Sequence, residues 1–489
     1  MPAYKRFAFL SLSALIVISA VAGCGGSSNP TPQGGFTNAS VNGAYAFSIS
    51  GADAAGFLAV AGSVQSDGAG HITAGTMDIN RLGSNGQAQP VTNVAVTGTY
   101  SVRADGRGVM TLTSASGNFG LTFVIISAQH LAITVFQGSA VGGGAMDIQT
   151  ASAFSTAALA GTSAFSVFGA DTAGNPLATV GSITTSAAGA ITTGVEDFSD
   201  AGNIIQNVAI TGGTIGAVAN NGRTTISVST ASGTSNFAGY VVDANRIKLV
   251  QIDPAGTQLT GEASRQTATL NNATLSGPFA FTASGTDITF GPFAAGGVLT
   301  SNGAGAITSG TEDINDAFAV AVNVPILSTS TYSIAGPRGT LTLQTGQGPF
   351  TFAIYPTTNG VLALELDPGL VVSGTALQQT GSFSNTTISG NYGLTFTAAT
   401  NVEVDATASL KSDGAGHLTG IVDINNGGTL STGTTLTGNY SVGGDGRGPF
   451  NVSTGLGAQT MAVYCVNGNR ALFIEVDGNA VAVGEIQHQ

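Results

Sequence analysis

The sequence has no tryptophan, two cysteines, four histidines and few charged residues. With Cys24 and Cys465 as the whole set, a disulfide framework is excluded as the support of the fold. No GxSxG elbow, HExxH helix or CxxC pair occurs, so the usual signatures of serine hydrolases, zinc peptidases and thiol redox proteins are missing. The sequence therefore predicts no catalytic constellation, no metal site and no cofactor.

Charge is scarce and of one dominant sign. Charged residues make up 8% of the chain, against about 25% in typical globular proteins. The net charge is −13, and it is −15 once Lys5 and Arg6 are set aside with the leader peptide. An acidic surface repels phosphate backbones, so we expect no nucleic-acid partner. Hydrophobic residues, at 42%, are enough for packed cores, and 72 glycines suit short strands joined by many turns.

Residues 1–23 have the layout of a secretory signal peptide. Lys5 and Arg6 precede an apolar run that is shorter than the roughly 20 residues of a membrane-spanning helix. The tetrapeptide VAGC that ends at Cys24 resembles a bacterial lipobox. This resemblance implies that Cys24 is lipidated and becomes the N-terminus of the mature protein. An ordinary signal peptide with a cysteine beside its cleavage site is the alternative.

Residues 24–40 are rich in Gly, Ser and Pro, which predicts a flexible tether. Lipobox and tether together resemble exported bacterial lipoproteins. Because no Asp follows Cys24, the resemblance implies an outer-membrane or cell-surface location rather than the inner membrane. The membrane, reached through the lipid anchor, is then one partner, and a glycan or protein ligand is left open.

One set of motifs occurs four times along the chain. Each copy has a glycine-rich turn such as SDGAGH at Ser66–His71, then an Asp, a turn that contains an Arg, and a closing Gln. The closing residues are Gln149, Gln266, Gln379 and Gln489. This period predicts four tandem domains of about 110 residues. The predicted limits are 41–150, 157–267, 273–380 and 386–489.

Each copy has the pattern of an all-β domain. In GAYAFSIS, Tyr45, Phe47 and Ile49 alternate with small residues, as in a half-buried strand. SDGAGH is predicted to be a hairpin turn, since a dinucleotide-binding loop would lead into a helix. About eight antiparallel strands follow one another in each copy. They can close as a small up-and-down barrel or form a sandwich, and the barrel is favoured because closure removes exposed edges.

The recurring Asp and Arg residues are predicted to form structural ion pairs. A bidentate bond between them would join neighbouring hairpins of one copy. The predicted pairs are Asp78–Arg107, Asp197–Arg223, Asp313–Arg338 and Asp423–Arg447. The Asp-x-Asn element also offers oxygen ligands to Ca²⁺, but the EF-hand pattern is absent, and whether calcium binds is left open.

The remaining reactive side chains fit structural positions. His71 and His417 correspond to Ala190 and Ala306 in the other copies, so they are interpreted as turn residues, and Cys465 as a core residue. The sequence thus predicts a lipid-anchored, non-enzymatic cell-surface or periplasmic protein whose repeated domains are structural or interaction modules. The alternative is a small-molecule or glycan carrier with a pocket inside each domain.

Overall fold

The computed structural model of the chain describes residues 35–454 and 457–489. These residues form strands, turns and four short 3₁₀ turns. Within the described ranges, no helix has the length and apolarity needed to cross a membrane. The predicted signal peptide (1–23), Cys24 and the tether up to residue 34 lie outside the described residues.

The strands fall into four consecutive groups, all of which lie within the predicted domain limits. The first group is β1 (Asn42–Asp53), β2 (Gly56–Asp67), β3 (His71–Arg81), β4 (Val91–Val102), β5 (Arg107–Ser114), β6 (Gly117–Ser127), β7 (His130–Val135) and β8 (Val141–Ile148). The second group is β9 (Gly161–Ala170), β10 (Pro176–Thr185), β11 (Ile191–Asp200), β12 (Asn203–Ile215), β13 (Arg223–Thr230), β14 (Gly233–Asp243), β15 (Arg246–Gln251) and β16 (Gln258–Arg265).

The other two groups follow the same order. The third is β17 (Ser276–Asp287), β18 (Gly291–Asn302), β19 (Ile307–Asp316), β20 (Ala319–Pro325), β21 (Thr331–Ala335), β22 (Arg338–Thr345), β23 (Gly348–Thr357), β24 (Gly360–Glu365) and β25 (Leu370–Gln378). The fourth is β26 (Ser389–Ala399), β27 (Glu403–Asp413), β28 (His417–Asn426), β29 (Thr429–Tyr440), β30 (Arg447–Thr454), β31 (Gly457–Asn467), β32 (Arg470–Glu475) and β33 (Val481–His488).

Three of the groups are closed antiparallel barrels. In the first barrel each strand pairs with the next, and β8 returns to pair with β1, where Ile148 lies opposite Tyr45. The second and fourth barrels close in the same way, through β16 with β9 and β33 with β26. The predicted up-and-down barrel is thus confirmed for these domains, and the sandwich is excluded.

The third domain departs from the predicted eight strands. Its sheet has nine strands in the order β20-β19-β18-β17-β25-β24-β23-β22-β21, because the fourth strand is divided in two. Two more residues separate Asn323 from Tyr332 than separate Asn93 from Tyr100 in the first barrel. Pro325, which ends β20, also lacks the N–H that a ladder needs. Isolated bridges at Ala306 and Ile326 span the gap between the edge strands.

The cores lie inside the barrels, as the period-two pattern predicts. Tyr45, Phe47 and Ile49 are at most 1% exposed and pack with Phe123 and Met146 inside the first barrel. Each of the other domains has a core cluster of its own. The fold therefore has a separate core inside each of the four domains rather than one shared core.

The segment before each first strand caps the end of its domain. Val41 is fully buried, and its carbonyl accepts hydrogen bonds from Tyr100 Oη at 2.7 Å and Ser66 Oγ at 2.6 Å. Asn38 Oδ1 accepts from Val102 N at 2.8 Å, which fixes the 3₁₀ turn on the barrel. The predicted tether is therefore wrong for residues 36–40, which Asn38 holds on the barrel, while Ser40 Oγ accepts a hydrogen bond from Thr37 N within the turn.

The SDGAGH turn is confirmed as a hairpin connection. Asp67 Oδ1 accepts hydrogen bonds from Ala69 N at 2.7 Å and His71 N at 3.0 Å. Gly68 and Gly70 have φ angles of 72° and 111°, which other residues rarely adopt. The glycines and the Asp of this motif therefore define a turn.

Candidate functional site

The repeated Asp and Arg residues bind across domain boundaries, so the predicted pairing within each copy is wrong. Each Asp binds the Arg of the following domain, and the Asp of the fourth barrel binds the Arg of the first. The measured distances are Arg223 Nη2 to Asp78 Oδ1 2.7 Å, Arg338 Nε to Asp197 Oδ2 2.7 Å, Arg447 Nη2 to Asp313 Oδ1 2.5 Å and Arg107 Nη1 to Asp423 Oδ1 2.8 Å. Sequence spacing could not separate the two pairings, because every copy carries the same Asp and Arg.

These four ion pairs join the domains into a closed cycle, which we call the ring. The contact between two successive domains is called a seam. The first, second and third seams join domains that are adjacent in sequence, and the closing seam joins the fourth barrel to the first. At the first seam, β1 and β2 pack against β14 and β15 of the second barrel. The outer faces of these strands are therefore buried as well as their inner faces.

At the second seam, Asp197 is fully buried and fully bonded. Its carboxylate accepts hydrogen bonds from Arg338 Nε at 2.7 Å and Nη2 at 2.9 Å, from Tyr355 Oη at 2.5 Å and from Asn207 N at 2.9 Å. Burial, and next the charge of Asp197, raises the pKa of Tyr355, so the phenol stays protonated and can donate. These charged and neutral donors replace the water molecules that the Asp197 carboxylate loses when it is buried.

The same arrangement recurs at the first and third seams, but not at the closing seam. Tyr240 donates to Asp78, and Tyr464 donates to Asp313 at 2.7 Å. At the closing seam the corresponding residue is Val124, which has no hydroxyl. Arg107 there divides its bonds between Asp423 and Asp105, whose Oδ2 lies 2.9 Å from Arg107 Nε. Asp423 therefore accepts fewer hydrogen bonds from the next domain than the aspartates of the other three seams do.

Side-chain amides reinforce every seam. The Asn or Ser two residues after each seam Asp bonds to a backbone carbonyl of the next domain: Asn80 to Gln251, Ser199 to Leu370, Asn315 to Glu475, and Asn425 to Val135. Each closing Gln does the same from its Nε2: Gln149 to Val241, Gln266 to Pro356, Gln379 to Cys465, and Gln489 to Ile125. The recurring Asp, Arg, Asn or Ser, and Gln residues of the repeat thus make the ion pairs and hydrogen bonds that connect one domain to the next.

The closing seam also differs in polarity. Apolar patches fill the other seams, for example Ala59 and Ala61 against Tyr240 and Val250 at the first. At the closing seam threonines face each other instead, with Thr122 Oγ1 3.4 Å from Thr407 Oγ1. Asp405, also at this seam, is buried, and burial raises its pKa above the usual value of an aspartate. The closing seam therefore brings polar side chains together beside the apolar Val124, Ile126 and Ala132, while the first seam combines its apolar patch with a buried ion pair of Lys248 and Asp147.

The second barrel encloses a cavity of about 330 Å³. The third domain and the fourth barrel hold about 70 Å³ and 30 Å³; the middle of the first barrel is filled by its large core side chains, and a more open pocket of about 770 Å³ lies at one of its ends. Side chains that line the second-barrel cavity include Ser163, Val167, Thr179, Glu196, Phe198, Ile215, Ile226, Phe237, Leu249 and Ala263. Its volume falls in the range of small-molecule sites, about 300–1,000 Å³.

Smaller residues at a few inward positions open this cavity. Ser163 stands where the first and fourth barrels have Tyr45 and Tyr392, and Ile215 stands where they have Tyr100 and Tyr440. Ala263 likewise replaces Met146 of the first barrel. These replacements remove the phenol rings that fill one end of the other barrels and leave apolar walls around empty space.

Glu196 brings a carboxyl group to the wall of this cavity. It precedes Asp197 on β11, so Asp197 faces the seam and Glu196 faces the interior. Burial, and next the charge of Asp197, raises the pKa of Glu196 to about 7. The corresponding residues are Met77 in the first barrel and Val422 in the fourth. Glu196 was not among the predicted site residues. The signal in the sequence was a Glu directly before the recurring Asp in two of the four copies, Glu196 and Glu312.

The other candidate side chains occupy structural positions. His71 Nδ1 lies 3.0 Å from Asp67 Oδ2 in an exposed turn, and Cys465 is fully buried in the core of the fourth barrel. Burial raises the pKa of the Cys465 thiol to about 12. Across residues 35–454 and 457–489, no group of three or more His, Cys, Asp or Glu lies close enough together to hold a metal ion. The seam aspartates, which sequence offered as calcium ligands, have their oxygens bonded to Arg, Tyr and backbone N–H groups.

Comparison with known proteins gives little. No protein-family model and no curated protein matches the chain. It is similar to a mutant of the vaccine antigen transferrin binding protein B from Haemophilus parasuis Hp5 at 8% identity and a TM-score of 0.13, over 94% of this chain and 78% of that chain. It is also similar to intact Ap-TbpB, with N and C lobes, at 8% identity and a TM-score of 0.11, over 91% and 77%. TM-scores of this size support no conclusion about this chain.

Proposed function

We propose that this chain is a lipid-anchored, non-enzymatic surface protein that binds one small apolar ligand inside its second barrel. The observation that carries the proposal is the 330 Å³ apolar cavity of that barrel. Such a volume is about twice that of an engineered cavity of about 150 Å³ that binds benzene. A ligand with about a dozen non-hydrogen atoms would fit.

The proposal restricts the carrier role to one domain. A pocket inside each domain was the alternative that the repeats left open, and the fourth barrel contradicts it with a void of 30 Å³, about the volume that one water molecule occupies in the liquid. The first barrel contradicts it too, because Tyr45, Phe47 and Phe123 fill its interior. In this proposal the other domains hold the second barrel in the ring and present it at the surface.

The anchoring part of the proposal rests on Cys24 and the lipobox pattern before it. Several acyl chains on one cysteine give stable membrane attachment, since each buried CH₂ contributes about 0.8 kcal/mol. The described residues begin at Gly35. An outer-membrane or cell-surface position, with a glycan or protein as a further partner, belongs to the same proposal.

Filling the cavity tests the ligand-binding role. The double variant Val167→Phe/Leu249→Phe introduces the residues that the fourth barrel has at these positions, where Phe396 and Phe473 stack at 6.5 Å. Calorimetric titration with 1-octanol should show binding to the unaltered protein and a loss of affinity of at least about tenfold in the variant, because the rings occupy the space of the ligand.

A matched control adds the same ring elsewhere. Val109 is 41% exposed on the outside of the first barrel, so Val109→Phe should leave octanol affinity unchanged. Equal octanol affinity in the double variant and the unaltered protein would show that octanol binds outside this cavity and would contradict the proposal.

A further inference from the structure

We propose that the ligand of the second barrel carries an amine, which binds Glu196 as an ammonium while the apolar remainder fills the cavity. This inference rests on the proposed function and names the chemical class of its ligand. It follows from the placement of one carboxyl group and from the charges around it.

The Glu196 carboxyl has no partner of its own within the described residues. Its neighbour on β11, Asp197, accepts hydrogen bonds from Nε and Nη2 of Arg338 and from the hydroxyl of Tyr355, all on the far side of the sheet. No hydrogen bond or ion pair within the described ranges reaches Glu196. An ionised carboxylate in an apolar wall is costly unless a cation accompanies it. A bound ammonium would supply that cation.

The charges around the cavity favour a cation over an anion. Among the described lining residues, the ionisable ones are Glu196 and Asp200, and none is Lys, Arg or His. Asp200 lies near Asp171, which adds a third acidic group at that end. Arg265, at the opposite end, donates its guanidinium hydrogens to the carbonyls of Ala158, Ala160 and Ala244. A fatty acid would therefore meet carboxylates and no free cation.

The other domains lack this combination of space and charge. The third domain has the corresponding Glu312, which is 3% exposed beside a void of 70 Å³. The first and fourth barrels have Met77 and Val422 at the position; the fourth has a void of only about 30 Å³, and the first has a more open pocket of about 770 Å³ at one end, beside Arg81. Glu196 is thus an unpaired carboxyl inside a barrel that has room for a ligand, whereas Asp53 and Glu403 line more open pockets.

Three probes of equal chain length separate the alternatives: octylamine, 1-octanol and octanoate, titrated calorimetrically into the full-length protein at pH 8. Octylamine should bind at least about tenfold more tightly than octanol, as expected for a charge-assisted bond. Octanoate should bind more weakly than either. In Glu196→Gln the ratio of amine to alcohol affinity should fall to about one, whereas Glu312→Gln should keep the ratio of the unaltered protein.

A pH series gives a second readout. An alkylammonium titrates near 10.4, as Lys does, so it stays charged from pH 8 to pH 5.5. Glu196, with its pKa of about 7, becomes protonated over this interval. Octylamine affinity should therefore weaken by about tenfold or more at pH 5.5, while octanol affinity should change less.

The outcomes distinguish the two levels of inference. If octanol and octylamine bind the unaltered protein equally, or Glu196→Gln keeps the amine preference, the amine assignment is wrong and the cavity proposal stands. If none of the three probes binds and Val167→Phe/Leu249→Phe changes nothing, the proposed function is wrong as well.

Discussion

Replacing Asp197 with Ala should lower the free energy of unfolding by about 3–5 kcal/mol, as expected when one partner of a buried ion pair is removed. The substitution leaves the guanidinium of Arg338, whose side chain is 14% exposed, and the hydroxyl of Tyr355 without their acceptor. The turn before Arg338 contains Gly336 and Pro337, so no neighbouring acid can replace the lost carboxylate. Denaturant unfolding followed by circular dichroism measures the loss.

The closing seam offers the matched comparison. Asp423→Ala should cost clearly less, because Arg107 keeps its bond to Asp105 at 2.9 Å and no tyrosine hydroxyl is orphaned. The two variants remove the same atoms from equivalent positions of the repeat. Equal losses of stability would mean that the seams contribute alike and that the tyrosines do not matter.

Cys24→Ala should abolish membrane attachment. Without the thiol no acyl chain can be added, so the precursor should remain uncleaved or appear as a soluble form. Detergent-phase partition and mass spectrometry of the N-terminal peptide measure the outcome. Cys465→Ala is the control, because Cys465 is buried in the fourth barrel and should not affect partition. Partition of the Cys24 variant into the detergent phase at the level of the unaltered protein would refute the lipoprotein proposal.

The barrels could be predicted from the sequence, because alternation and turn residues are local signals. Tyr45, Phe47 and Ile49 face the interior as their spacing indicates, and Asp67 with its glycines forms the turn. These features depend on neighbours a few residues away. The split of the fourth strand in the third domain was missed, although Pro325 and the longer segment after it are local signals too.

The ring could not be predicted from spacing, because four equivalent copies offer the same partners at every distance. A signal was nevertheless present. In β14 the residues from Phe237 to Val242 are all buried, and in β31 the same holds from Met461 to Val466. A strand that is apolar on both faces is covered on both faces. In a barrel the second cover must be another domain.

The cavity of the second barrel depends on the volumes of the inward side chains, which the alternation of apolar and small residues does not specify. Ser163 and Ile215 interrupt a tyrosine pattern that the first and fourth barrels keep, and the Ile was visible where the other copies have Tyr. Whether such a loss leaves a void depends on how the neighbouring side chains rearrange. The size of the void can be read only from the three-dimensional structure, since its wall comes from all eight strands.

Closure of the ring means that the chain could begin at any of the four domains, provided that their cyclic order is kept. Phe36, before the first strand, and Gln489, after the last, both approach Gly106, so the described ends lie beside each other. A peptide linker could join them, and the connection before the fourth barrel could be opened in exchange. The same four seams would then form in a circularly permuted chain that begins with the fourth barrel. The covalent path would now cross the closing seam, and the third seam, with its Arg447–Asp313 ion pair, would have to form without a peptide connection.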